Sequence, residues 1–113
     1  MSLRSDFRNK QGWLTKQGGS IKTWKRRLFL LHENVLYYYK NEDAKAPKGC
    51  IQLTKHVHLE KVVRSNKDKS YRAPEPFSFK IQTDFRTYWM CDKDEKQIDE
   101  WINCIQASLK VCC

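Results

Sequence analysis

The spacing of apolar residues changes once along the chain. Up to about residue 90, short apolar and alternating runs are separated by turn residues, and beyond it apolar residues return every three or four positions. Residues 11–17 read as a first strand ending at Gly18 and Gly19, and residues 22–32 as a second. Residues 35–40, rich in aromatic and branched side chains, read as a third, with Glu33 and Asn34 as the turn before it. A polar loop with Pro47 follows over 41–48. Residues 49–53, 57–63, 77–82 and 86–90 supply four more strands, seven in all. Residues 64–76, with four basic residues, two prolines and no apolar pattern, read as a mobile surface loop. Ile98, Trp101, Ile102, Ile105 and Leu109 then fall on one stripe of an amphipathic helix. Asp92 and Glu95 are spaced as an N-cap and its reciprocal partner, which predicts a helix start near Lys93. Seven short antiparallel strands leave edges and an open end, and a helix carrying Trp101 is suited to cover them, so Trp101 is read as core. The expected fold is mainly β, a seven-stranded antiparallel bent barrel or sandwich capped by one C-terminal α-helix.

With 113 residues, 40% of them apolar, the chain has the material for one domain with one core. Residues 1–10 read as a flexible lead-in, 11–110 as the domain and 111–113 as a tail, without internal repeats. No apolar run approaches the ~18 residues of a spanning helix, and the first twenty residues lack a signal-peptide core, which predicts a soluble intracellular protein. The five cysteines are odd in number and show neither paired CxxC spacings nor a disulfide framework, which fits reduced thiols. The adjacent Cys112 and Cys113 resemble the doubly prenylated terminus of some small GTPases, but a fragment ending just after its last helix is the preferred expectation.

Charge changes the picture more than composition does. Of a net +9, residues 1–48 carry +7, with eleven Lys or Arg against four acidic residues. That asymmetry points to an anionic partner on the N-terminal half. Side chains alternate faces along a strand, so Lys25, Arg27, Phe29 and Leu31 share one face. Phe29 and Leu31 belong in the core, which leaves Lys25 and Arg27 at its mouth. Lys16 follows Leu14 on the first strand and joins them across the antiparallel hairpin, and Tyr38 follows Leu36 on the third strand. Clustered cations on an inward rim repel one another unless an anion sits among them. Gly18 and Gly19 have amides that no side chain shields, and Lys22, Arg26 and Lys48 are within reach from neighbouring loops and strand ends. The alternative is a solvated basic hairpin with its long side chains splayed outward.

Gly12-Trp13-Leu14-Thr15-Lys16-Gln17-Gly18-Gly19, followed by Lys22-Thr23-Trp24-Lys25-Arg26-Arg27, resembles the opening hairpin of pleckstrin homology (PH) domains, and most of all the cytohesin-like branch that binds 3-phosphoinositides. The resemblance continues through Asn34, Leu36, Tyr37, Tyr38, Pro47, Lys48 and Gly49 to Trp101, and covers roughly residues 11–110. It implies that Lys16, Lys25 and Arg27 grip the phosphates of an inositol ring and that Tyr38 hydrogen-bonds one of them. It places Lys48 on the 5-phosphate side and Lys22, Thr23 and Arg26 at the margin. Cytohesins carry a long insertion between the sixth and seventh strands, where this chain has only Thr83, Asp84 and Phe85. The implied ligand is therefore phosphatidylinositol 3,4,5-trisphosphate with tolerance for the 3,4-bisphosphate, bound by a cytoplasmic monomer recruited to the plasma membrane without a cofactor. Lys10, Lys45 and Lys55 would add diffuse attraction, and Ile21 either packs within its loop or dips into the membrane interface.

Two other classes compete. A basic aromatic barrel can bind a protein partner or, with outward-facing Trp24, Tyr37 and Tyr39, single-stranded nucleic acid. An enzyme finds less support, since there is no phosphate-binding GxxxxGK[ST] loop, no G-x-S-x-G elbow and no paired-carboxylate site. His56 and His58 alternate onto one strand face but have no third metal ligand at a usual spacing. Asp92, Asp94, Glu95, Asp99 and Glu100 read as the cap and solvated face of the helix.

Overall fold

A computed structural model of the chain describes residues 9–65 and 72–110. The strands are β1 (Asn9–Gln17), β2 (Trp24–His32), β3 (Val35–Tyr39), β4 (Gly49–Gln52), β5 (His58–Val63), β6 (Phe77–Gln82) and β7 (Thr87–Asp92), followed by helix α1 (Glu95–Lys110). All seven strands form one antiparallel sheet in the order β4-β3-β2-β1-β7-β6-β5. The pairing of β1 with β7 joins the first hairpin to the last, and β4 and β5 are the sheet's edges.

Register fixes what faces inward. Lys16 lies opposite Lys25, Leu14 opposite Arg27 and Gly12 opposite Phe29, so these pairs share a face. The same face continues through Tyr38 opposite Phe29, and through Met90 opposite both Lys16 and Phe79. Leu14, Phe29, Leu36, Phe79, Ile81 and Met90 are fully buried against Ile98, Trp101 and Ile105 of α1. Trp101 stands edge-on to Phe29, with ring centroids 6.2 Å apart. Gly12 lies under the indole, where a Cβ would come within ordinary contact distance of Cζ2, 3.4 Å.

The helix closes one end of the sheet. Ser108 Oγ donates to the Glu33 carbonyl at 2.6 Å, and the Leu53 amide donates to the Asn34 carbonyl at 2.8 Å, so helix and β4–β5 connection both anchor on the β2–β3 turn. Glu33 in that turn has φ 55°, the left-handed conformation that a two-residue hairpin loop requires. Lys61 on β5 pairs with Glu95 at 2.7 Å and Asp99 at 2.8 Å, tying the edge strand to the helix. The β1–β2 loop and the β6–β7 turn stand at the other end, which stays open.

The structure corrects several details of the sequence reading. Strand β1 begins at Asn9, so the last two residues of the expected lead-in are part of the sheet, while β2 begins at Trp24 and β7 runs from Thr87 to Asp92. The helix starts at Glu95, not near Lys93. Asp94 is its cap, with Oδ1 accepting from the Lys96 amide at 3.0 Å and the Asp94 carbonyl accepting from the Ile98 amide at 3.3 Å. Asp92 cannot serve because it still pairs with Phe77 in the sheet. His56 lies in the turn before β5, its amide donating to Thr54 Oγ1, and so does not share a strand face with His58. Lys10 is far from the expected mouth, at the start of β1, where it pairs with Glu100 at 3.4 Å and covers the Trp101 ring. The middle of the expected 64–76 loop, residues 66–71, and the terminal Cys112 and Cys113 lie outside the described residues.

Candidate functional site

Lys16 is the innermost cation of the open end. It occupies the face that Leu14 contributes to the core, and only 7% of it is exposed. Its Nζ donates to the Gln17 carbonyl at 3.1 Å and sits 4.5 Å from the Tyr38 ring centroid and 5.7 Å from that of Tyr88. Burial, with the charges of Arg86 and Arg27, pushes the ammonium down from its ordinary 10.5 to about 8. Burial and the nearby Tyr88 phenol raise Tyr38, which keeps its hydroxyl a donor at neutral pH. The ring lies against Gly49, opposite it on β4, where a Cβ would overlap the phenol hydroxyl.

Three loops complete the mouth. Gly18 donates to the Thr23 carbonyl at 2.8 Å and Thr23 donates to the Ile21 carbonyl at 2.9 Å, which folds the β1–β2 loop on itself. A Cβ on Gly18 would strike the Ile21 carbonyl, and one on Gly19 would lie 2.7 Å from Arg86 Nη1. Neither glycine has positive φ, so Gly18 is needed for room and not for handedness, while at Gly19 the Arg86 side chain could shift aside. The Gly18 amide is committed to Thr23, and the expectation that it faces an anion fails there. On the β3–β4 loop the Lys48 amide donates to the Tyr38 carbonyl at 2.8 Å. From the β6–β7 turn Arg86 lays its guanidinium 4.1 Å over the Tyr88 ring.

These elements enclose an open cleft of about 490 Å³ lined by Lys16, Gly18, Gly19, Ser20, Ile21, Thr23, Lys25, Arg27, Tyr38, Lys48 and Arg86. Eight of the ten residues singled out from the sequence meet in its wall. Lys22 and Arg26 do not. Lys22 is exposed in the loop beside the cleft, and Arg26 has the opposite strand parity, with Nη1 3.4 Å from Asp92 Oδ1. Arg86 and Ser20 are additions that the sequence reading missed. Arg86, Tyr88 and Met90 stand at i, i+2 and i+4, so the alternation rule applied to β2 would have carried the inward face of β7 out to Arg86.

Among the described residues, five cations and no acidic residue line the cleft. Such a wall has the chemistry to hold several oxyanions at once, because guanidinium and ammonium groups approach from different directions and the phenol adds a neutral donor.

The PH domain family matches residues 8–110. The RAC family serine/threonine-protein kinase homolog of Dictyostelium discoideum is 37% identical over 81% of this chain and 19% of its own length. The human dual adapter for phosphotyrosine and 3-phosphotyrosine and 3-phosphoinositide is 36% identical over 88% of this chain and 33% of its own. Human cytohesin-4 is 33% identical over 89% and 29%. The chain thus spans at most about a third of these curated relatives. Among solved structures, the carboxyl-terminal PH domain of pleckstrin superposes with a TM-score of 0.71 at 33% identity, covering 88% of this chain and 93% of that one. The same domain has been solved in complex with D-myo-inositol 1,2,3,4,5-pentakisphosphate, and that structure superposes with a TM-score of 0.65 at 31% identity, covering 88% and 96%. By sequence and by fold, this chain belongs to the PH domain family.

Proposed function

We propose that the domain is a membrane-recruitment module whose cationic cleft binds the head group of phosphatidylinositol 3,4,5-trisphosphate, with tolerance for the 3,4-bisphosphate. The observation that carries this reading is the cleft wall itself, to which the described residues contribute five cations and a phenol and no carboxylate. Mutual repulsion there is relieved by a ligand bearing several phosphates, and each charge-assisted hydrogen bond to phosphate contributes about 1.5–3 kcal/mol. Lys16, Lys25 and Arg27 form the floor and one wall, Tyr38 and Lys48 the second, and Arg86 the third. Arg86 comes from the short turn between β6 and β7. The tolerance for the 3,4-bisphosphate follows from Lys48, which is exposed and held only through its backbone, so a contact made by its side chain is the easiest to forgo. A relative whose name includes 3-phosphoinositide and a relative solved with an inositol pentakisphosphate both support the ligand class. The domain acts in this reading as an address for a longer cytoplasmic protein, recruited to the plasma membrane as a monomer and performing no chemistry of its own.

Sedimentation with phosphatidylcholine vesicles containing a few per cent of one phosphoinositide tests the proposal. Binding is expected in the order 3,4,5-trisphosphate, 3,4-bisphosphate, 4,5-bisphosphate, and competition by soluble inositol 1,3,4,5-tetrakisphosphate should release the protein. Equal binding to all three lipids, unaffected by the competitor, would reduce the cleft to a diffuse basic surface.

A further inference from the structure

Between Asp6 and Glu33 the chain carries seven Lys or Arg and no acidic residue. Three hydroxyl side chains lie in that basic stretch, on Thr15, Ser20 and Thr23, and the fold holds them differently. Thr15 is 9% exposed, in the middle of the sheet between Arg26 of β2 and Cys91 of β7. Thr23 is exposed, but its backbone closes the β1–β2 loop, the amide donating to the Ile21 carbonyl and the carbonyl accepting from the Gly18 amide. Ser20 is exposed in the same loop, and among the described residues nothing hydrogen-bonds to its amide, carbonyl or hydroxyl.

Ser20 also belongs to the cleft. It shares the wall with Lys16, Lys25, Arg27, Lys48 and Arg86, and Arg86 reaches the loop itself, with Nη1 2.7 Å from where a Cβ on the adjacent Gly19 would lie. A phosphoryl group on Ser20 Oγ would bring a charge of about −1.5 to −2 at pH 7 and three acceptor oxygens to these cations. No carboxylate among the described residues of the wall repels it, since Asp84, the acidic residue of the facing turn, lines a separate groove. Lys16, whose charge is disfavoured by burial and by Arg86 and Arg27, gains a counter-ion from it.

We propose that Ser20 is a phosphorylation site and that its phosphate seats in the cationic cleft as a tethered competitor of the head group. In the step that installs it, Ser20 Oγ bonds to the γ-phosphorus of ATP, the bond from that phosphorus to the bridging oxygen breaks with ADP leaving, and the hydroxyl proton passes to the kinase's base. The enzyme class is a serine kinase whose acidic binding surface reads basic flanks, here Lys16 four residues before the acceptor and Lys22 two after it. Presenting Ser20 to such an enzyme requires release of the two backbone hydrogen bonds at Thr23. Once attached, the phosphate meets the cations at an effective concentration of roughly millimolar, so head-group binding is opposed from within the site. A bound head group in turn covers Ser20 and protects it. This regulation deepens the phosphoinositide reading and rests on it for the ligand displaced, whereas the seat of the phosphate does not depend on it.

The test sets the domain carrying phosphoserine at position 20, introduced by genetic encoding, beside unmodified wild type. Phosphorus NMR follows the second ionisation of the phosphoserine, which ordinarily lies at about 6. Cations around the dianion should lower it by about one pH unit, and Lys25→Ala with Arg27→Ala in the phosphorylated protein should reverse most of that change. Calorimetric titration with inositol 1,3,4,5-tetrakisphosphate should show binding about tenfold or more weaker for the phosphorylated protein. Wild type treated with Mg-ATP and a panel of kinases selective for basic-flanked serines should gain phosphate on Ser20, read by peptide mass spectrometry, and saturating tetrakisphosphate should slow the gain. An ordinary second ionisation, or equal binding of the head group by both proteins, would overturn the tethered competitor. Absence of phosphate on Ser20 with every kinase of the panel would overturn the site. A lowered ionisation in a protein that binds the tetrakisphosphate in neither form would support the seat and overturn the phosphoinositide reading alone.

Discussion

Replacing Lys16 by methionine keeps most of the side chain's length and removes its charge. In the folded protein that ammonium is pushed down from 10.5 to about 8, by burial first and by Arg86 and Arg27 next. At 1.36 kcal/mol per pH unit, the folded state carries a penalty of about 3 kcal/mol at pH 7. The sign follows from proton counts. Between about pH 8 and 10.5 the unfolded chain holds the lysine proton that the folded chain has released, so wild-type stability rises with pH across that window. Below it the whole penalty is present. Lys16→Met should therefore stabilise the domain at pH 7 by about 2 kcal/mol, less than the full penalty because the contact with Tyr38 is lost. The gain should shrink toward zero near pH 10.5, where wild type has shed its penalty. Urea unfolding followed by tryptophan fluorescence reads this as a midpoint about 1 M higher at pH 7. The same variant should lose head-group binding, and wild-type affinity should fall about tenfold from pH 7 to pH 9 as the free cleft loses its Lys16 proton. A variant no more stable than wild type at pH 7 would refute the claim that repulsion and burial strain this cation.

Two further substitutions probe the scaffold of the site. Gly49→Ala places a Cβ 2.6 Å from Tyr38 Cζ and should displace the ring from Lys16. The expected loss is about 1–3 kcal/mol of stability together with weaker head-group binding, read by urea unfolding and calorimetry. Asp94→Ala removes the true helix cap and should destabilise by about 1 kcal/mol, lowering the melting temperature by about 4–8 °C in a thermal scan without changing affinity.

How much of this was legible depended on how local the signal is. The alternation of β2 and β3 placed Lys25, Arg27 and Tyr38 on the inner face because a strand's period is strict and a hairpin fixes register locally. The helix stripe was equally plain, and Ile98, Trp101 and Ile105 are fully buried. What escaped depends on contacts between distant parts of the chain. Arg86 enters the cleft because β7 returns beside β1, a pairing that no local pattern announces. Arg26 is drawn to Asp92 at the end of β7 for the same reason. Lys10 counted toward the basic N-terminal half, yet its position at the start of β1 carries it to the helix end. The helix start was displaced because two aspartates two residues apart are both chemically able to cap, and sheet pairing retains the first.

The most direct measurement is calorimetric titration of the domain with inositol 1,3,4,5-tetrakisphosphate at physiological salt, for wild type and for Lys25→Ala combined with Arg27→Ala. These two side chains are partly or fully exposed, so their loss should leave the fold intact. The account predicts one-to-one binding by wild type that the double substitution weakens at least a hundredfold, about 1.5 kcal/mol for each contact removed. No binding by wild type, or equal binding by both proteins, would contradict it and leave the basic mouth as a surface for a protein or nucleic-acid partner.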